Sequence, residues 1–494
     1  MFHHSSLPVL TIEDNDHPHE ECAVFGVWNA SDAAALTTLG LHALQHRGQE
    51  ASGIICFDPK IQEFRAHHGF GLVGDTFSDP HTMEKLQGTC AIGHNRYGTS
   101  GPSLLRNVQP IFAEFVFGGL AVAHNGNLTN ARALRRNLIQ RGCLFQSTMD
   151  TEVFVHLIAT SLYTTVEDKL IDALKRVMGA YSLVVLSQNA LIGARDPFGI
   201  RPLVLGRLPT KQGHDSWVLA SETCGLDIIG AEFVRDIDPG EIIIIGENGP
   251  RSIHPFDKKK PRFCVFEYIY FARPDTFLEG LSVYNVRKEI GRELAKESPV
   301  DADMVVPVPD SGVPAAIGYT EASHLPFELG IIRNHYIGRT FIEPSDHIRH
   351  LGVKMKHSPN RAVLEGKRVI LVDDSIVRGT TSRKIVDMVR AAGAKEVHMR
   401  ISSPPTEYSC FYGIDTPERS KLLAVQHDLQ AMTDIIGVES LAFISHKGLE
   451  RAIQSGYQDY SDKTPCKTYC DACFTGNYPI ALVDHDNRSK DTSS

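Results

Sequence analysis

Through the first half of the chain, apolar positions come in short runs separated by glycine and polar turn residues. Tyr181 to Leu186, Trp217 to Ala220 and Glu241 to Ile245 each read as a strand. Helical spacing appears between Ala33 and Leu44 and again between Glu152 and Leu162. Sheets packed against helices are therefore expected from about Cys22 to Ile253. A polar stretch, 255–261, with three lysines between prolines, reads as a connector. From Phe263 onward, strands alternate with helices in the βαβ manner, which predicts a parallel sheet.

The most informative unit lies in that second half. Val369 to Val372 is a run suited to a strand buried on both faces. It ends on two carboxylates, Asp373 and Asp374, followed by Ser375 and a small-residue turn, Arg378-Gly379-Thr380-Thr381. A helical segment follows with Ile385, Val386 and Val389 on one face, closed by Gly393. Such a turn presents backbone N–H groups and a helix dipole to a phosphate, and the carboxylates suit hydroxyls or a hard cation. Met304 to Pro314 predicts another strand ending in a turn, at Asp310-Ser311-Gly312. Between them, Arg333, Arg339, Arg349, Lys354, Lys356 and Arg361 form a basic patch opposed only by Glu343 and Asp346.

Composition narrows the classes. With 494 residues, two or three domains are expected. The net charge of −9 argues against bulk nucleic-acid binding, so any phosphate site is made locally. No run approaches ~18 apolar residues, and the first residues lack the pattern of a secretory signal. Ten cysteines without regular spacing point to reduced thiols or metal ligands in the cytoplasm. Cys470-Asp-Ala-Cys473 is a C-x-x-C pair, with Cys264 and Cys410 far off in sequence. Four thiolates fit zinc or an iron–sulfur cluster, and spacing does not separate the two. A redox pair would need a thioredoxin-like context, which is missing. Gly69 to Gly74 matches G-x-G-x-x-G but opens no clear helix, and no P-loop occurs.

Five segments in order, His19–Gly26, Leu44–Gly53, Gly93–Thr99, Ala123–Asn127 and Met149–Glu152, resemble the glutaminase domain of the N-terminal-nucleophile amidotransferases. The Arg368–Thr381 and Met304–Pro314 units and the basic patch resemble the type I phosphoribosyltransferases. Over Cys22 to about Pro479 the chain resembles the amidophosphoribosyltransferase family, in the branch with a propeptide and an iron–sulfur cluster. Ala23 stands where that family commonly has glycine.

The resemblance implies a propeptide (1–21), a class II glutamine amidotransferase domain of αββα sandwich type (22–255), a phosphoribosyltransferase domain with a central parallel sheet (262–484), and a disordered tail (485–494). It implies Cys22 as nucleophile, its freed amine as base, and Asn125 and Gly126 as the oxyanion hole. Arg47, Arg96 and Asp150 would bind glutamine. Asp310, Ser311, Gly312, Lys356, Asp373, Asp374, Ser375, Arg378, Gly379, Thr380 and Thr381 would bind phosphoribosyl pyrophosphate. One Mg²⁺ per subunit is implied at Ser311, Asp373 and Asp374, and one 4Fe–4S cluster at Cys264, Cys410, Cys470 and Cys473. Also implied are ammonia transfer from glutamine to the ribose in purine synthesis, purine nucleotide inhibitors, and a homotetramer or homodimer in the cytoplasm, with no nucleic acid or membrane partner. The rival readings are a non-catalytic regulator that senses the same ligand, and an amidotransferase with another acceptor.

Overall fold

The computed structural model describes residues 19–20, 22–97, 104–209, 215–334, 357–460 and 468–486. The propeptide expectation, other than His19 and Glu20, falls outside these residues. So do Lys356, Arg339, Arg349 and Lys354 of the basic patch.

The first half is two stacked antiparallel sheets between helices. One sheet has seven strands in the order Glu232–Asp236, Val204–Leu208, Ser216–Ala220, Cys22–Trp28, Cys90–Arg96, Ala51–Asp58, Glu63–Phe70. The other has six, in the order Gly249–Ile253, Ile242–Gly246, Leu191–Arg195, Gly179–Ser187, Gly118–Leu128, Ile111–Phe115.

Period-two side-chain direction explains why these strands look apolar on both faces. Val24, Ile92, Ala121, Ala123, Val184 and Ile243 form the core between the sheets. Their neighbours Phe25, Val27 and Ala91 turn outward to the helix Ala33–Ala43. On the far side, Val122, Leu183 and Val185 pack with the helices Thr151–Ala159 and Val166–Arg176. Ala23 lies in extended strand with its methyl in the outer core, so alanine needs no glycine-only conformation here. The G-x-G-x-x-G segment is the end of strand Glu63–Phe70 and one helical turn, Val73–Thr76.

The second half holds a four-stranded parallel sheet, Met304–Pro307, Arg368–Asp373, Glu396–Ile401, Ser440–Phe443. The helices Val283–Glu297 and Val313–Ser323 and the helix Thr380–Ala391 accompany it. Both faces of Arg368–Asp373 are buried: Ile370 and Val372 join one core, Val369 and Leu371 another. The predicted apolar face Ile385, Val386 and Val389 is buried, and Gly393 takes a φ of +99°. A π-helical turn, Glu267–Phe271, lies between the two halves.

Candidate active sites

Cys22 begins the strand Cys22–Trp28 and pairs in register with Arg96 on the strand Cys90–Arg96. Parity puts both on the face shared with Val24 and Ile92, so thiol and guanidinium enter the space between the sheets side by side. Both are almost wholly buried. The facing sheet brings up Asn125 on the same inner face as Ala121 and Ala123. The carbonyl of the neighbouring His124 meets the His94 ring at 3.1 Å, tying the two sheets together here. The Asn125 side chain is fully buried, and neither its oxygen nor its nitrogen has a hydrogen-bond partner among the described residues. An unmet buried amide costs ~1–3 kcal/mol, so it is rarely kept without use.

Gly126 has a φ of +142°, and a Cβ there would lie 2.1 Å from the Ala180 carbonyl oxygen. Only glycine holds that turn. Asp150 accepts from the Leu128 N–H at 2.9 Å and faces His124 at 3.6 Å. Burial pushes its carboxyl up, but His124 and the N–H groups of Leu128 and Thr151 hold it below the ordinary value. Asp150 is therefore an anion beside the oxyanion turn.

Arg47, expected at glutamine, sits behind this pocket. Its guanidinium pairs with Glu222 and, at 2.6 Å, with Glu267, and all three side chains are fully buried. Arg201 reaches Glu267 at 2.9 Å and His46 reaches Glu222 at 2.7 Å. Glu222 also accepts from the Arg273 N–H at 3.0 Å and the Thr276 hydroxyl at 2.8 Å. The network thus joins the first half to the π-turn of the second. The next residue, Gly48, lies so close to the backbone of Asn95 and Arg96 that a Cβ would come within 2.8 Å.

The second site is at the carboxyl end of the parallel sheet, where α/β folds commonly bind ligands. Asp373 and Asp374 are fully buried, and Ser375 donates to Asp374 at 2.5 Å. Gly379 takes a φ of +79° and leads into the helix Thr380–Ala391, with Thr380 exposed and Arg378 and Thr381 half-buried at its mouth. The turn Asp310-Ser311-Gly312 lies beside it, and a Cβ on Gly312 would come 2.3 Å from the Val372 carbonyl oxygen. Asp310 pairs with Arg333.

Sequence reading missed two neighbours. Arg287 donates to the carbonyls of Tyr268 at 2.8 Å and Ala272 at 2.7 Å, fastening the π-turn. Burial lowers its pKa to about 10, opposed by Asp374. Burial, then Asp374 and Asp373, push the Tyr270 hydroxyl up, which puts that ring at the same site. The available signal was Glu267, a lone carboxylate in the aromatic run Phe263–Phe271.

The four cysteines come together. Cys264 and Cys470 are register partners in a short parallel pairing, and the Cys473 carbonyl accepts from the Glu407 and Tyr408 N–H groups at 3.0 Å, near Cys410. Burial, then the neighbouring thiols, push Cys470 and Cys473 well up, and burial lifts Cys264 to about 12. None of the nine described cysteines is in a disulfide. Cys466 lies outside the described residues. Cys56, Cys90 and Cys224 are buried and Cys143 is half-buried.

The comparisons bear on family and fold. Residues 99–227 match the glutamine amidotransferase domain family and residues 284–402 the phosphoribosyl transferase domain family. An amidophosphoribosyltransferase of Rhizobium etli is 55% identical over 98% of this chain and 97% of its own length. One of Bacillus subtilis is 47% identical over 94% and 95%. A solved structure of the allosteric regulatory enzyme of purine biosynthesis is similar with a TM-score of 0.87 at 46% identity, covering 93% of this chain and 97% of that one. A glutamine phosphoribosylpyrophosphate amidotransferase from B. subtilis, complexed with ADP and GMP, is similar with a TM-score of 0.85 at 45% identity, over 93% and 98%.

Proposed function

The chain belongs to the amidophosphoribosyltransferase family, and from that premise we propose the residues that carry its two half-reactions. The enzyme is a pentosyltransferase with a glutamine amidotransferase domain, working in purine biosynthesis. It converts phosphoribosyl pyrophosphate, glutamine and water to 5-phosphoribosylamine, glutamate and pyrophosphate.

Removal of residues 1–21 frees the Cys22 amine, whose pKa near ~7.7–8.0 suits it as base for the adjacent thiol. The Cys22 sulfur attacks the glutamine amide carbon. The Asn125 side-chain N–H and the Gly126 backbone N–H take the oxyanion. Ammonia leaves with the thiol proton, and water hydrolyses the thioester to glutamate. Arg96 pairs with the α-carboxylate and Asp150 with the α-ammonium. Arg47 serves the glutamine end through Gly48, which packs on the Arg96 backbone.

At the second site ammonia attacks ribose C1 as pyrophosphate leaves. Arg378, Gly379, Thr380 and Thr381 hold the 5′-phosphate, Ser375 supporting them beside Asp374. Asp373 and Asp374 take the ribose hydroxyls, and Asp310, Ser311 and Gly312, with Lys356, meet the pyrophosphate. The all-oxygen set Ser311, Asp373 and Asp374 fits one Mg²⁺, which would neutralise charge on the departing pyrophosphate.

Cys264, Cys410, Cys470 and Cys473 fit one 4Fe–4S cluster with a structural role. The resemblance to the cluster-bearing branch, with three of the four thiols buried and Cys410 half-buried, supports the cluster over zinc. The expected outcome is a brown protein with iron and sulfide in equal amounts. A colourless, zinc-loaded, active sample would remove the cluster.

The domain limits stay 22–255 and 262–484, with 1–21 as propeptide and 485–494 as tail. The B. subtilis structure with ADP and GMP supports purine nucleotides as inhibitors of this chain. We place it in the cytoplasm as a homotetramer or homodimer. Among the described residues no helix is long and apolar enough to cross a membrane.

The observation that carries the reading is the unpartnered Asn125 amide in the inter-sheet space that Cys22 and Arg96 enter. Cys22→Ala should abolish glutamine-dependent synthesis, by more than about 10⁴-fold, and leave ammonia-dependent synthesis within about twofold. Equal loss of both would refute the division of labour.

A further inference from the structure

The oxyanion strand is closed on one side by chain that comes from the opposite end of the sequence. Asn125–Asn127 lie at the end of the strand Gly118–Leu128, and two residues later the helix Ala131–Gln140 begins, with Asn130 at its cap position. Asn130 does not cap it. Its amide donates to the Arg176 carbonyl at 3.0 Å and accepts from the Met178 N–H at 2.9 Å. The exposed N–H groups of the first turn go instead to Asp484, at 2.7 Å from Arg132 and 3.1 Å from Ala133. The Asp484 N–H returns to the Thr129 carbonyl at 2.9 Å.

Two further contacts fall on the same few residues. The Asn127 amide donates to the Phe411 carbonyl at 2.9 Å, and a Cβ on Gly413 would lie 2.9 Å from the Gly126 Cα. The Phe411 ring in turn lies 4.2 Å from the His485 ring. Strand end, turn and helix start are therefore gripped at Gly126, Asn127, Thr129 and the first helical turn by two segments of the second half.

We propose that Asp484 is a positioning residue for glutamine hydrolysis, a helix cap supplied from the second half that holds the Asn125–Gly126 end of the oxyanion strand in place against Cys22. A capping carboxylate stabilises a helix start, but its leverage here is geometric. Oxyanion donors act only when aimed at the developing charge, so a small shift costs rate in the transition state with little effect on substrate binding.

The inference rests on the oxyanion reading of Asn125 and Gly126. In the full-length protein, Asp484→Ala should lower the glutamine-dependent kcat about tenfold, with the KM for glutamine and the ammonia-dependent rate each within about twofold of the parent. Each N–H group meets a different carboxylate oxygen, so Asp484→Asn keeps an acceptor for only one of them and should lose about threefold in kcat. The proposal is overturned if Asp484→Ala leaves kcat unchanged or lowers the ammonia-dependent rate in proportion. Should Asp484→Ala not fold, a parental glutamine-dependent kcat in Asp484→Asn, or an equal fall in its ammonia-dependent rate, overturns it. Asn125→Ala in parallel separates the premise: a parental glutamine rate there would remove the oxyanion reading itself.

Discussion

Among the described residues, those proposed to face a phosphate at the end of the parallel sheet come from one contiguous stretch, 368–381, and its neighbouring turn at 310–312. The thiol pocket is built otherwise. Cys22, Arg96, Asn125 and Asp150 lie on separate elements, and Phe411 and Asp484 close the wall from the far end of the chain. A strand, a turn and a helix start suffice to hold an anion, because the donors are backbone groups with fixed spacing. Acyl transfer needs a nucleophile, an oxyanion hole and two charge partners converging from different directions, which only sheet stacking supplies. The phosphate site is local and modular; the thiol pocket depends on the whole fold.

That contrast is open to attack at the joint between the regions. Glu267 is wholly buried against Arg47 and Arg201. Glu267→Ala takes one carboxylate partner from each of two buried guanidinium groups, so a loss of about 3–5 kcal/mol is expected, read as a lowered midpoint in denaturant for both halves. A change confined to one half would show that the regions are less joined than the network suggests. Next in size is a matched pair. Asn125→Ala should cost ~10²–10³ in glutamine-dependent kcat alone, whereas Asp374→Asn should cost on the order of 10² with glutamine and ammonia alike. Steady-state assays with each nitrogen source distinguish them, and a shared pattern would dissolve the comparison.

The smallest effect is one of pH. Burial raises Glu152, but His156, the Ser147 hydroxyl and the N–H groups of Gln146 and Ser147 hold it down at about 2, against an ordinary 4.5. Its folded pKa is depressed, so its stabilising share is complete above about pH 4.5 and is lost as pH falls toward 2. Glu152→Gln should flatten acid unfolding in that window, and an unchanged slope would count against the carboxylate.

Legibility followed the same division. Val369 to Thr381 was readable in full, since strand, carboxylates, turn and helix face are all encoded by adjacent residues. Cys22, Arg96, Asn125 and Asp150 were readable only as an ordered set resembling a family. The Cys22–Arg96 register and the shared inner face came from strand pairing. Arg47 shows the limit most clearly: its motif suggests substrate, while its side chain is engaged by Glu222 and Glu267. Arg287 and Asp484 left no signal at their own positions, because what distinguishes them is a partner distant in sequence, and Tyr270 left only the lone Glu267 in its aromatic run.

By itself, then, the order of residues determined the alternation of strands and helices, the two-part architecture and the strand–turn–helix unit from Arg368 to Ala391. These rest on periodicity and backbone chemistry acting over a few neighbours. Tertiary structure alone decided which buried charges meet, which amide stays unpaired and which segment caps the helix beside it. Such choices depend on desolvation and on contacts between remote segments, and a linear pattern carries neither.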